Sequence, residues 1–379
     1  MTTEQSVLLS LIKQSQFGKS DPIDLSGIDL AVLLEEASKA SVIGLIASQI
    51  PESLKDDNWE VAEMRQVVFF LRYCEHQNEV IRILEEASVP FVILKGAASA
   101  VYYSDPKRRT MGDIDILVPR KCFSAAKSAM SKAGLVEYDD NGRHAKFKIE
   151  KLCIEIHRHF SHDIDIESYL VSGLKERITS TVEGFSFPML PKLANGLVLL
   201  DHMRSHLKTS LGIRQVIDWM MYVYHNLDDA FWYGEFRKVA REKGLETLAI
   251  AATRMCQMYL GLPETITWCK DADESVCSRL MDLTLKSGNF SRTHGDGRSV
   301  EKVGVKMKQE GTFSYLQRAG ENNWKAYKKH HWLKPFCWFY QICRYIKKGY
   351  RSDRNTGEFI GDIDRGNERY SLLKSLNIK

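Results

Sequence analysis

Two carboxylates one residue apart, followed by an apolar run, are the strongest sign of chemistry in this chain. They are Asp113 and Asp115 in GDIDILVP, residues 112–119, and the letters GDID return at 361–364. In a strand alternate side chains share a face, so Asp113 and Asp115 point one way while Ile114 and Ile116 enter a core. Carboxylates fixed side by side repel, and a divalent cation relieves that repulsion. Mg²⁺, with Mn²⁺ as the alternative, suits one or two carboxylates completed by water and phosphate oxygens. Gly112 removes bulk where a substrate approaches. The second copy is followed by RGNERY, has no apolar run, and carries Arg365 as a ready counter-charge. It reads as a solvated turn, which leaves the first copy as the site.

A metal site for phosphoryl transfer calls for a third carboxylate from a neighbouring element. Glu155 in LCIEIH offers one, on the same strand face as Cys153 and His157. A charge in so apolar a strand is costly unless it is paired or bound to metal. The alternative partner is a lysine such as Lys148 on the adjacent strand. Before the first GDID stand Arg108, Arg109 and Thr110. A guanidinium there can clamp phosphate oxygens with two prongs, or it can pair with Asp105. Tyr103, Asp105 and Pro106 read as residues that shape the loop.

The elements that position these groups are legible from periodicity. Residues 1–87 carry apolar residues at helical spacing. VPFVILKG, 89–96, is a short buried strand ending in glycine, AASAVYY favours a helix, and SDPKRRTMG is a loop. DIDILVP is a strand stopped by proline, followed by a helix closed at Gly134. LVEYDD, HAKFKIE and KLCIEIHRHF form a meander turning at Asn141-Gly142 and at a second tight turn. Helical periodicity returns from about 191 to about 350, and the rest is polar and reads as loosely ordered. The expected division is a helical region at 1–87, a core at 88–190, a helical domain at 191–352 and a polar tail at 353–379.

The strand–KG–helix, RRTMGDIDILV and IEIH segments together resemble the DNA polymerase β-like nucleotidyltransferase superfamily. The likeness is greatest to a poorly characterised branch with LKG, Y-x-D-P-x-x-R-x-M-G-D-I-D-I-L-V and a later E-I-H. It covers about residues 88–160 strongly and the flanking helical segments loosely. The resemblance implies an α+β fold, a mixed-sheet core with helical regions before and after. It implies Asp113, Asp115 and Glu155 as the metal-binding catalytic acids. It also implies an NTP substrate, with NMP passed to an acceptor and pyrophosphate released. It places Gly96 at a helix start beneath the triphosphate, and a strand-to-helix turn independently suits phosphate. The superfamily has Gly-Ser there, whereas this chain has Lys95-Gly96-Ala97. The serine contact falls to Ser99, or Lys95 supplies the charge instead. The resemblance also favours Arg109 as functional. The acceptor is open: small molecule, sugar, peptide, protein or RNA end. The rival reading is a nucleotide-binding or interaction protein that keeps the fold without the reaction.

Two further groups stand outside that motif. His202 and His206 lie four apart on one helix, without the glutamate of a zinc H-E-x-x-H. The resemblance, which extends to similar histidines and a similar D-W, implies that this segment lines the substrate cleft, and Arg214 and Asp218 read as an intrahelical ion pair. In 324–351 bases and aromatics interleave: Lys328, Lys329, Lys347, Lys348 and Arg351 with Trp332 and Trp338. Such a stretch meets RNA phosphates or an anionic membrane surface, or it is a helical pair with solvated lysines.

The composition, 44% hydrophobic and 27% charged over 379 residues, is that of a globular protein with two or three cores. A net charge of +4 implies no polyanion partner by itself. There is no run of eighteen apolar residues and no signal-peptide pattern at the N-terminus. The eight cysteines show no C-x-x-C pair, as expected of free thiols in a reducing cytoplasm.

Overall fold

The computed structural model describes residues 1–18, 23–161, 163–208, 210–287, 297–351 and 356–378, with the side chains of 287, 297–303, 346 and 348–365 outside that description. Internal contacts divide the chain into two units, Met1–Arg204 with Gly212–Asn289, and Ser205–Leu211 with Phe290–Lys379.

The first unit begins with helices α1 (Thr3–Phe17), α2 (Leu30–Ala40), α3 (Ile43–Ala47) and α4 (Asp57–Glu86). Helix α4 starts where the Asp56 carboxylate accepts from the Asn58 and Trp59 backbone N–H groups, with Asp57 and Glu60 in its first turn. Both features suit the positive helix end. Its inner face buries Trp59, Gln66, Phe70, Tyr73, Cys74, Gln77, Ile81 and Leu84, the three- and four-residue spacing of an amphipathic helix.

The α+β core follows as β1 (Val92–Leu94), α5 (Gly96–Ala100), β2 (Ile114–Leu117), α6 (Phe123–Lys132), β3 (Val136–Asp140), β4 (His144–Ile149) and β5 (Leu152–His157). Then come α7 (Ile164–Lys175), β6 (Ile178–Val182) and β7 (Phe185–Met189). The seven strands form one mixed sheet in the order β3-β4-β5-β2-β1-β7-β6. Strand β2 runs antiparallel to β1 and parallel to β5, and β1 runs parallel to β7. The β6–β7 hairpin is absent from the sequence reading. Its turn is Glu183-Gly184, both at positive φ (48° and 84°), as a two-residue hairpin of type I′ demands. Pro188 sits inside β7, and proline normally argues against an interior strand, so the segment does not read as one.

Ile114, Ile116, Ile154 and Ile156 pack with Phe70, Cys74, Val80, Leu84, Ala126, Met130 and Phe147 in one buried cluster. The odd-numbered residues of β2 and β5 are left for the opposite face, as alternation requires. The unit continues with α8 (Lys192–Leu207) as far as Arg204, α9 (Ile213–Asn226) and helices at Glu246–Leu260 and Glu274–Ser287.

The second unit holds helices Gly297–Glu310, Thr312–Asn323, Cys337–Arg351 and Thr356–Ser375. Tyr315, Leu316 and Ala319 form its small core, with Met307, Trp338, Ile342 and Tyr345 against it. Here the sequence reading needs correcting. The segment expected to be loosely ordered is a helix, Thr356–Ser375, with Leu372 and Leu373 buried in its last turn and Leu376 buried just after it. The second GDID is therefore helical backbone and not a turn, and its side chains lie outside the described residues. Among the described residues no helix is long and apolar enough to cross a membrane.

Candidate active site

Strands β2 and β5 are parallel neighbours, and their register puts Asp115 beside Glu155. Asp113 lies just before β2, so its side chain joins the same face. One ligand oxygen from each of Asp113, Asp115 and Glu155 lies within 4.8 Å of the others. Asp115 is 2% exposed, and Asp113 and Glu155 are half-buried. Such a group of acids needs compensating partners, and the chain supplies two ammonium groups and a histidine ring.

Lys95 Nζ donates to Asp115 Oδ2 at 2.8 Å. His157 Nε2 meets Asp115 Oδ1, also at 2.8 Å, from deep in the protein. Lys146 pairs with Glu155 Oε1, and the two residues are direct cross-strand neighbours. Glu155 is thus paired with Lys146, and Lys148 faces Cys153 instead. Burial by itself would raise the Asp115 carboxyl, but the Lys95 ammonium and the His157 ring outweigh it and hold it down at about 2. Asp113 moves the other way: the negative charge of Asp115, then burial, raise its carboxyl above the ordinary range. One carboxylate is satisfied by the protein and its neighbour is not.

The turn between β1 and α5 brings Lys95 to this place. Its φ of +50° is unusual for a residue with a side chain, and its ammonium lies 5.2 Å from the Phe160 ring centroid. Gly96 follows with φ +42°, and a Cβ there would lie 2.2 Å from the Tyr73 hydroxyl. The glycine is needed for the close approach of Tyr73, whose hydroxyl donates to the Asp113 carbonyl at 3.4 Å. Ser99 is buried in α5, and its hydroxyl has no partner among the described residues. Gly112 is half-buried in the link just before β2.

Arg109 is not placed to meet phosphate. It is 3% exposed, and its Nε and Nη2 donate to the two oxygens of Asp218 on α9 at 2.8 and 2.7 Å. Tyr103 donates to the same carboxylate at 2.7 Å. Asp218, expected to pair with Arg214 on the same helix, accepts from Arg109 and Tyr103, and Arg214 donates to the Thr110 carbonyl at 2.9 Å. The alternative partner for Arg109, Asp105, is taken by Arg108 at 2.9 Å. Gln66 of α4 donates to the Lys107 and Arg109 carbonyls and accepts from the Thr110 hydroxyl. Two helices thus fix the loop that delivers Asp113, and Tyr103 and Asp105 shape it.

His202 and His206 lie on α8 and belong to neither metal-capable group found among the described residues. The His206 ring meets the Ser210 carbonyl at 3.2 Å. In the basic, aromatic stretch Trp332 is 72% exposed, Lys328, Lys329 and Lys347 are exposed, and Trp338 is half-buried. The side chains of Lys348 and Arg351 lie outside the described residues. The residues that sequence reasoning missed are Tyr73, Gln66, Lys146 and the Asp218 partnership.

The mixed sheet thus presents three clustered acids, from β5, β2 and the residue before it, beside the turn between β1 and α5. The chain belongs to the family of uncharacterised nucleotidyltransferases, whose model matches residues 28–261. Neither the curated proteins nor the solved structures contain a match.

Proposed function

We propose that the protein transfers NMP from an NTP to an acceptor and releases pyrophosphate, with Asp113, Asp115 and Glu155 holding Mg²⁺, or Mn²⁺ in its place. The observation that carries this reading is the group of three carboxylates on one sheet face, within 4.8 Å of one another. The donor set fits a hard dication, being all oxygen with more than one carboxylate; such ions complete their shell with water and phosphate oxygens. The negative charge of Asp115, then burial, raise the Asp113 carboxyl, which supports a cation at this place. When bound, the cation polarises the triphosphate and offsets charge on the departing pyrophosphate.

The side chains have separable tasks. Asp113 and Asp115 fix the triphosphate side of the site. Glu155, oriented by Lys146, serves the acceptor side, where the attacking hydroxyl or phosphate oxygen must lose its proton or its hydration. Lys95 holds Asp115 until a triphosphate offers its ammonium a second anionic partner. Lys95, Gly96 and Gly112 line the phosphate approach. Arg109 is assigned a positioning task, because its guanidinium is spent on Asp218. The free cysteines support a cytoplasmic setting.

The acceptor is a small molecule, sugar, peptide, protein or RNA end. NTPs labelled at the α- or γ-phosphate, incubated with the protein and a cell extract, test the reading. Transfer of α-label with pyrophosphate release supports it. Stoichiometric nucleotide binding with no labelled product would make the protein a non-catalytic nucleotide binder.

A further inference from the structure

The basic, aromatic stretch of the second unit has no task in the transfer reaction. Residues 322–352 hold six lysines and two arginines and no Asp or Glu, in a chain whose net charge is only +4. We propose that this stretch docks the protein on the surface of an anionic phospholipid bilayer, with its exposed phenyl rings in the headgroup layer and its lysines on the lipid phosphates.

The helix Cys337–Arg351 carries aromatic residues on two opposite sides. Its inner side packs on the helix Thr312–Asn323, where a Cβ on Gly320 would collide with the Cys337 carbonyl. The Tyr315 and Tyr345 hydroxyls meet at 3.1 Å, and the Asn323 amide donates to Gln341 at 3.3 Å. Cys337, Gln341 and Tyr345 therefore mark the inner side at four-residue spacing. Phe336, Phe339, Cys343 and Lys347 fall on the other side by the same period. Phe336 and Phe339 are 54% and 56% exposed, and Cys343 and Lys347 are exposed. Phe313 is 63% exposed. Its ring centroid lies 6.0 Å from that of Trp338, which lies 5.8 Å from that of Phe339, so the aromatic surface runs unbroken between the two helices.

Charge complementarity names the partner. Lys325, Lys328, Lys329 and Lys347 are exposed and make no ion pair among the described residues. Lys334, 3.9 Å from Glu321, is exposed as well. Phenyl rings with no polar atom gain by leaving water for the boundary of headgroups and acyl chains, and ammonium groups around them gain from anionic headgroups. Trp332, in the same stretch, has the amphipathic ring that favours that depth. RNA phosphates also attract lysines, but bases need free ring faces on which to stack. Here Trp324 is already stacked on Tyr340, 4.9 Å apart and inclined by 7°. Phe313, Trp338 and Phe339 lean on one another at 46° and 75° and offer no parallel platform.

Binding is tested without nucleotide, so the result does not depend on whether the transfer reaction occurs. Full-length protein is sedimented with vesicles of phosphatidylcholine alone, and with vesicles of phosphatidylcholine and phosphatidylglycerol in equal amounts. The wild type should bind the mixed vesicles, leave the neutral ones, and come off as salt is raised. Replacing Lys328 and Lys329 together by alanine should weaken binding about twentyfold, at roughly fivefold for each basic residue near an anionic surface. Phe336→Ser with Phe339→Ser should weaken it about tenfold or more, with net charge unchanged. Equal binding to both vesicles, binding to neither, or wild-type binding by the folded phenylalanine variant would overturn the proposal. A single-stranded RNA oligomer forms the other arm: RNA binding that the phenylalanine variant retains, without binding to mixed vesicles, would assign the stretch to nucleic acid instead. The vesicle comparison needs only the wild type, so it decides the matter even if a variant fails to fold.

Discussion

Replacing Arg109 separates two accounts of the loop before the acids, and the structure sets the size of the effect. The guanidinium is almost wholly buried, bonded by two nitrogens to Asp218, which also accepts from Tyr103. Removing one partner of a buried pair leaves the other charge uncompensated and costs about 3–5 kcal/mol. At roughly 2–4 °C per kcal/mol for a unit of this size, Arg109→Ala should lower Tm by about 6–20 °C. Arg109→Lys keeps charge but loses the fork, and should fall between the two. The double variant Arg109→Met, Asp218→Leu should recover much of the loss, since apolar replacement of a buried pair is often neutral. Melting curves with kcat and KM for ATP and GTP, taken well below each Tm, would show the pattern. An Arg109→Ala protein with unchanged Tm and a raised KM for NTP would refute this reasoning and restore the phosphate clamp suggested by the sequence.

Other outcomes follow from the charges in the site. Asp113→Asn should raise Tm in the absence of metal, because it removes the repulsion that lifts the Asp113 carboxyl; a melt in chelator checks this. Asp115 sits at about 2, below its unfolded value, so it stabilises above about pH 4, and that stability is lost as pH falls through about 2. The shift corresponds to about 2 kcal/mol, and Asp115→Asn should show a correspondingly flatter stability profile between those limits. Glu155→Gln should lower kcat with little change in KM for NTP, as expected of a group whose role grows in the transition state; nucleotide binding lost with kcat intact would reverse its assignment. Asp362→Asn and Asp364→Asn should leave transfer unchanged, and a large loss of activity there would point to the other GDID.

The acids were legible because strand alternation is a local rule. Ile114 and Ile116 in the core follow from period two and a burial pattern, whereas the register that sets Asp115 beside Glu155 joins distant segments and was not legible. The partner of Glu155 was misplaced by one cross-strand step: the sequence reading offered Lys148, and the register puts Lys148 opposite Cys153 and Lys146 opposite Glu155. The Arg109–Asp218 pair was not legible, since it joins residues 109 positions apart and an arginine before a metal motif looks the same whether it faces phosphate or a buried carboxylate. Tyr73 was hidden for the same reason: nothing local shows that Gly96 yields its Cβ space to a hydroxyl from α4. The β6–β7 hairpin escaped because Pro188 contradicts a strand, and the last helix because its polar residues outnumber the few leucines that anchor it.

The central claim is that Asp113, Asp115 and Glu155 hold the cation for nucleotidyl transfer. The most direct measurement follows pyrophosphate release and α-label transfer by the wild type, Asp113→Asn and Asp115→Asn, with Mg²⁺ and with chelator, each protein shown folded by its melting curve. Label transfer matched by pyrophosphate, abolished by chelation and in both folded variants, is the predicted result. Transfer that survives in either variant, or that moves the γ-phosphate instead, would contradict the claim.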